Sequence, residues 1–157
     1  MGEAADIVRY RGEEAVDDFA LEPLQVRAAQ QELLACNGRT APYGLTLTLT
    51  DIEELAQGHI EALRSAGRVE FGGGVLQKLV DAFCDSPYLT QENYAQILSE
   101  LQEIFYYYKS ESMERLSDDD LIGAMKEVFD GRAQGSLDYL AGTSLEELCR
   151  RARGGWA

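Results

Sequence analysis

The sequence predicts a mainly α-helical protein, an irregular bundle of five to seven helices with at most a small two-stranded β ribbon as an accessory. Three observations predict it. Apolar residues recur at offsets of three and four through most of the longer segments. Capping residues and glycine stops bracket those segments. Period-two alternation, the mark of a half-buried strand, covers only a few residues.

The elements follow in chain order. Residues 1–22 hold seven acids and two arginines, and read as an acidic, partly ordered lead-in with a candidate short strand at Ile7–Tyr10. Residues 23–157 read as a single helical domain. Pro23 can open its first helix, because a missing N–H costs nothing in the first turn. Leu24–Cys36 continues that helix and Asn37-Gly38 should stop it. Leu45, Leu47 and Leu49 then alternate with Thr46, Thr48 and Thr50, so Thr46–Leu49 is a candidate strand. Thr50 sits three residues before Glu53, a capping-box spacing that opens a helix carrying Ile52, Leu55, Ala56, His59, Ile60 and Leu63 on one face. Arg68–Phe71 is the second candidate strand, beside Gly72-Gly73-Gly74.

A short helix follows at Val75–Cys84, with a wide apolar face that implies burial on more than one side. The clearest element is Gln91–Lys109, capped by Thr90. Its Tyr94, Ile97, Leu98, Leu101, Ile104, Phe105 and Tyr108 fall within about 120° of arc. Tyr106 and Tyr107 fall outside that arc, one on each flank. Ser117 caps the next helix, whose first turn carries three aspartates against the positive end of the dipole. Ser144 and Glu147 have capping-box spacing for a last helix, with Arg150, Arg151 and Arg153 at its C-terminal end.

Length and charge exclude several classes. At 157 residues the chain is one domain, long enough to bury about two-thirds of its unfolded surface without a metal or disulfide. Twenty-eight acidic residues against fourteen basic ones give a net charge of −14. A field of that sign repels phosphates and anionic lipid, so neither nucleic acid nor membrane is an expected partner. No apolar run approaches the ~20 residues that a span needs, and no signal peptide is visible. Three well-separated cysteines, an odd number without a Cys-x-x-Cys pair, suit a reducing compartment, and the cytoplasm is the expected location.

No catalytic, metal or cofactor signature is recovered. A single histidine rules out zinc motifs and facial triads that need two. His59 sits on the apolar stripe of its helix, where a hydrogen-bonded core histidine is the plain reading. The run Gly72–Gly74 before a helix could present N–H groups to an anion, but the Walker and dinucleotide patterns are both missing. Leu121–Asp130 is similar to the incoming helix of an EF-hand, with Gly135 and Leu137 at matching loop positions. The ligand positions fail: Arg132, Gln134 and Ala141 stand where oxygen donors are required. A metal-free helix–loop–helix is the expectation there.

Five segments carry a wider likeness: CNGRTAPYGLTL (36–47), GRVEFGGGV (67–75), AFCDSPYL (82–89), LQEIFYYYK (101–109) and DGRAQGSLDYL (130–140). Over roughly residues 30–148 the chain resembles an uncharacterised family of small acidic bacterial proteins of unknown function. The resemblance implies a bacterial cytoplasmic origin and a single domain. It carries no site residues across.

The functional expectation is a non-enzymatic protein–protein interaction or assembly module, its partner a protein or a second copy. Its candidate surface combines Tyr106 and Tyr107 with Glu103, Glu111 and Glu114, because tyrosine offers contact area with a polar end. The alternative is an enzyme or small-ligand protein with a site where His59, Gly72, Gly73, Gly74, Cys84 and Asp85 converge. A degenerate EF-hand-like regulator without calcium stands third.

Overall fold

Tyr94–Glu111 forms the central helix, because its seven-residue stripe leaves one side of the cylinder almost wholly apolar and every residue of that stripe is buried. In the computed structural model, residues 13–68, 70 and 74–154 are described, with side chains from residue 23 onward. The helices are α1 (Glu13–Thr40), α2 (Leu49–Ala66), α3 (Val75–Phe83), α4 (Tyr94–Glu111), α5 (Asp118–Asp130), α6 (Leu137–Ala141) and α7 (Glu146–Arg153), with a 3-10 turn at Ala41–Tyr43. No strand occurs among the described residues. The protein is a mainly α, irregular bundle. Helix α4 packs against α2, α3, α5, α6 and α7, while α1 closes over α2 and α3. Each fully buried large apolar side chain contributes about 1.5–3 kcal/mol relative to remaining in water. Phe129 of α5 meets Phe83 of α3 and Tyr88 of the α3–α4 connection through edge-on ring contacts at 5.5 and 6.1 Å.

Several boundaries differ from the sequence expectation. Helix α1 begins at Glu13, so Pro23 lies inside it rather than at its start. It also runs through Asn37-Gly38 to Thr40. Asn37 is held in helical conformation by contacts across the fold. Its side-chain amide donates to the Leu47 carbonyl (3.0 Å) and accepts from the Leu47 N–H (2.8 Å). The candidate strand at Ile7–Tyr10 lies outside the described residues.

Among the described residues the ribbon does not form, for a related reason. Leu45–Thr48 is extended, with Leu45 and Leu47 buried and Thr46 and Thr48 exposed, so the alternation is real. Its backbone, however, is satisfied by side chains instead of a neighbouring strand. Asn37 serves Leu47, and the Gln91 amide accepts from the Thr46 N–H (2.8 Å) and donates to its carbonyl (2.9 Å). Leu49 already belongs to α2 and is exposed. In the second candidate strand, residues 69 and 71 lie outside the described residues, and Arg68 and Glu70 are not in a strand.

Three caps shift. Helix α2 is capped by Thr48 and Asp51, which bond each other's backbone reciprocally, two residues before the expected Thr50 and Glu53. Thr90 and Asn93 make the same reciprocal pair around a turn, so α4 starts at Tyr94 instead of Gln91. Helix α7 has no side-chain cap. Ser144 donates to the Leu140 carbonyl instead (3.0 Å), and Glu147 pairs with Arg150 and Arg151. Ser117 caps α5 as expected, accepting from the Asp120 N–H at 3.0 Å.

Candidate functional site

The densest polar constellation lies where the α2–α3 connection crosses α4 and the start of α5. It begins at His59, 5% exposed on the apolar face of α2. Nδ1 of His59 lies 2.5 Å from Oε1 of Gln102, and Nε2 lies 3.3 Å from Oε1 of Glu70. Glu70 also accepts from Arg68 (2.8 Å), from the Tyr106 hydroxyl (3.4 Å) and from the Val75 N–H (3.2 Å). Arg68 reaches on to Asp118 (2.9 Å), and Asp118 receives the Lys109 ammonium at 3.0 Å. Lys109 is buried and donates as well to the Leu116 carbonyl. These charged and polar side chains form a continuous network from α2 to α5.

The electrostatics follow from that network. Burial works to raise the Glu70 carboxyl, but the hydrogen bonds from His59, Arg68 and the Val75 N–H outweigh it and hold it below the ordinary glutamate range. Asp118 behaves alike: burial opposes ionisation, and Arg68 with Lys109 more than reverses it. Burial also pushes the Tyr106 hydroxyl up, reinforced by the neighbouring Glu70 charge.

Glu70 settles what the glycine-flanked start of α3 holds. A helix N-terminus favours an anion, and here the chain supplies its own. The Glu70 carboxylate bonds the first N–H of α3 and sits directly over Gly74, where an added Cβ would come 2.2 Å from Oε1. Gln25, Ala28, Ala29, Glu32, His59, Ile60, Glu70 and Gly74 line a niche of about 10 Å³, the space of a single water. No substrate-sized volume opens among these described residues.

The other residues of that group lie apart. Gly72 and Gly73 fall outside the described residues. The thiol of Cys84, at the opposite end of α3, lies 3.7 Å from the Asp81 carbonyl, and burial raises its pKa. Asp85 pairs with Lys126 at 2.6 Å. His59 and Gly74 therefore meet through Glu70, whereas Cys84 and Asp85 lie just past the far end of α3, where Asp85 reaches Lys126 of α5.

The two tyrosines part company. Tyr106 is half-buried, its hydroxyl on Glu70 and its ring 5.6 Å from the Arg68 guanidinium. Tyr107 is 46% exposed and edge-on to Tyr108 at 5.2 Å. Glu103 is exposed. Glu111 faces Arg153 and Glu114 faces Arg68, each at 3.8 Å.

The loop after α5 is a turn between helices. The Asp130 carboxylate accepts from Ser86 (2.6 Å) and pairs with Lys126 (3.3 Å). Gln134 and Gly135 take left-handed conformations, and the Gly135 N–H closes on the Phe129 carbonyl at 2.8 Å. No cluster of metal-ligating side chains occurs among the described residues.

Two features of the structure carry no motif in the sequence. Gln102 and Lys109 are polar residues at buried positions of α4, four residues after Leu98 and Phe105, and that placement was the available signal. The second is surface. Across a groove of about 270 Å³ between α1 and α2, Leu34 (54% exposed) faces Leu49 (71% exposed), with Ile52 below and Arg27, Gln30, Gln31 and Glu53 at the rim. On the other side of α2, a second cleft of about 440 Å³ is lined by Asp51, Glu54, Leu55, Glu92, Ala95, Gln96 and Ser99.

The chain belongs to a family of unknown function, DUF6323, whose sequence profile matches residues 32–157. No curated protein and no solved structure matches the chain. No helix among the described residues is long and apolar enough to cross a membrane.

Proposed function

We propose that this member of the family is a non-enzymatic interaction or assembly module whose contact surface is the α1–α2 groove. The observation that supports it is the pair Leu34 and Leu49, two large apolar side chains left in water on facing helices while most others of their kind are buried. Single exposed leucines are ordinary; two lining one groove, with Ile52 beneath, are the mark of a contact site. The polar constellation around Glu70, by contrast, opens onto no more than a water-sized niche among the described residues.

The test is the double variant Leu34→Ser/Leu49→Ser. Exposed positions of this kind change stability by about 0.5 kcal/mol or less. The variant should therefore melt with the parent and lose self-association in sedimentation, or lose the partner cross-linked through a photoreactive residue at position 31, on the rim of the same groove. Retention of both self-association and cross-linking sinks the reading.

A further inference from the structure

We infer that the groove's occupant is a second copy of this chain, related by a two-fold axis along the groove, so that α1 of each copy lies on α2 of the other and Arg27 of each meets Glu53 of the other. The inference rests on the interaction reading above and names the partner.

The groove's own rim carries the argument. In a two-fold pair a surface meets itself, so every contact across the seam occurs twice. A rim of one sign therefore repels its own copy. This rim holds one cation and one anion, Arg27 and Glu53, and its Gln30 and Gln31 amides each offer both donor and acceptor. Such a rim complements itself. The cleft on the other side of α2 does not, because its charged residues are Asp51, Glu54 and Glu92, all acids. The net charge of −14 opposes self-association in general, and a balanced rim is where it opposes least.

The layout of the walls agrees. Leu34 shares the groove with Leu49, and Ala29 shares the niche beyond it with Ile60, so α1 and α2 are antiparallel. Arg27, Gln30, Gln31 and Leu34 stand at i, i+3, i+4 and i+7 on α1; Leu49, Ile52 and Glu53 stand at i, i+3 and i+4 on α2. Each wall is thus one helical stripe with leucine at one end and charge towards the other. A two-fold axis along the groove keeps the ends in register, leucine on leucine and Arg27 on Glu53. At ~1.5 Å per residue Arg27 lies about 10 Å from its leucine and Glu53 about 6 Å from its own, a difference that an arginine side chain spans. Arg27 and Glu53 are both exposed, and among the described residues neither enters an ion pair in its own chain. Two helices meeting two make a four-helix seam.

The experiment is sedimentation of the full chain over about 1–100 μM, where the parent should pair. Arg27→Glu and Glu53→Arg should each weaken pairing about tenfold, since each sets like charges together on both sides of the axis. Net charge alone predicts the reverse for Glu53→Arg, which exchanges a negative for a positive charge and so lessens the general repulsion. An equimolar mixture of the two variants should pair as the parent does, because every reversed side chain then meets one of opposite sign. The double variant Arg27→Glu/Glu53→Arg should also pair. A monomeric parent, a Glu53→Arg variant that pairs like the parent, or a mixture no better than its components overturns the inference. If the parent is monomeric while Leu34→Ser/Leu49→Ser loses a different cross-linked partner, the groove is a contact site and only its occupant is wrong. If neither self-association nor cross-linking responds to the leucines, both readings fall.

Discussion

Nε2 of His59 lies 3.3 Å from Oε1 of Glu70, and the same carboxylate holds Arg68 and the first N–H of α3, so one acid side chain fixes the α2–α3 connection onto two helices. Breaking a buried pair by changing one partner leaves the other charge without compensation. Glu70→Gln keeps the shape and removes the charge, while Arg68 retains Asp118. A loss of about 2–3 kcal/mol is expected in urea denaturation. Gly74→Ala should reproduce much of it, because its methyl group takes the space of Oε1. A change within about 0.5 kcal/mol for both variants would show that the network contributes no net stability.

The same carboxylates predict acid lability. Glu70 and Asp118 both ionise more readily in the folded chain than in the unfolded one. A folded-state pKa below the unfolded value gives stability that is complete above the ordinary carboxylate range and is lost as pH falls through the folded value. The urea midpoint should therefore be flat above about pH 5 and drop steadily below about pH 4. Glu70→Gln, lacking one of these groups, should start lower and fall less steeply. A parent curve no steeper than the variant's contradicts the assignment.

Two glycines with left-handed backbone separate strain from crowding. Gly44 has φ +79° and open space around an added Cβ; Gly135 has φ +82° and the Tyr88 ring 2.6 Å away. Alanine at either position meets the conformational penalty of about 1 kcal/mol. At Gly135 it must also displace Tyr88 from its edge-on contact with Phe129. A total nearer to about 3 kcal/mol is expected there. Thermal unfolding of the two variants side by side measures the difference, and equal losses would remove the crowding contribution.

What could be read from the chain was whatever repeats locally. The α4 stripe, the wide face of α3 and the Ser117 cap all depend on residues three or four apart, and the structure places them accordingly. The α2 cap was misplaced because the run Thr48-Leu49-Thr50-Asp51-Ile52-Glu53 offers the capping spacing twice, and only the buried face chooses between them. The alternation at Leu45–Leu49 reported burial correctly at Leu45 and Leu47 and strand pairing wrongly. Side-chain amides from Asn37 and Gln91 can satisfy an extended backbone as well as a neighbouring strand can.

That the chain is helical, and which faces turn inward, follows from its residues alone, because hydrophobic spacing is written into each segment separately. Which side chains meet is a matter of the folded arrangement: Glu70 caps the first N–H of α3, Tyr106 turns in while Tyr107 stays out, and Leu34 and Leu49 line one groove. Arg68 and Asp118 are fifty residues apart in the chain and 2.9 Å apart in the fold. Coulomb attraction and hydrogen bonding act through space, and no pattern of neighbours along the chain records a distance of that kind.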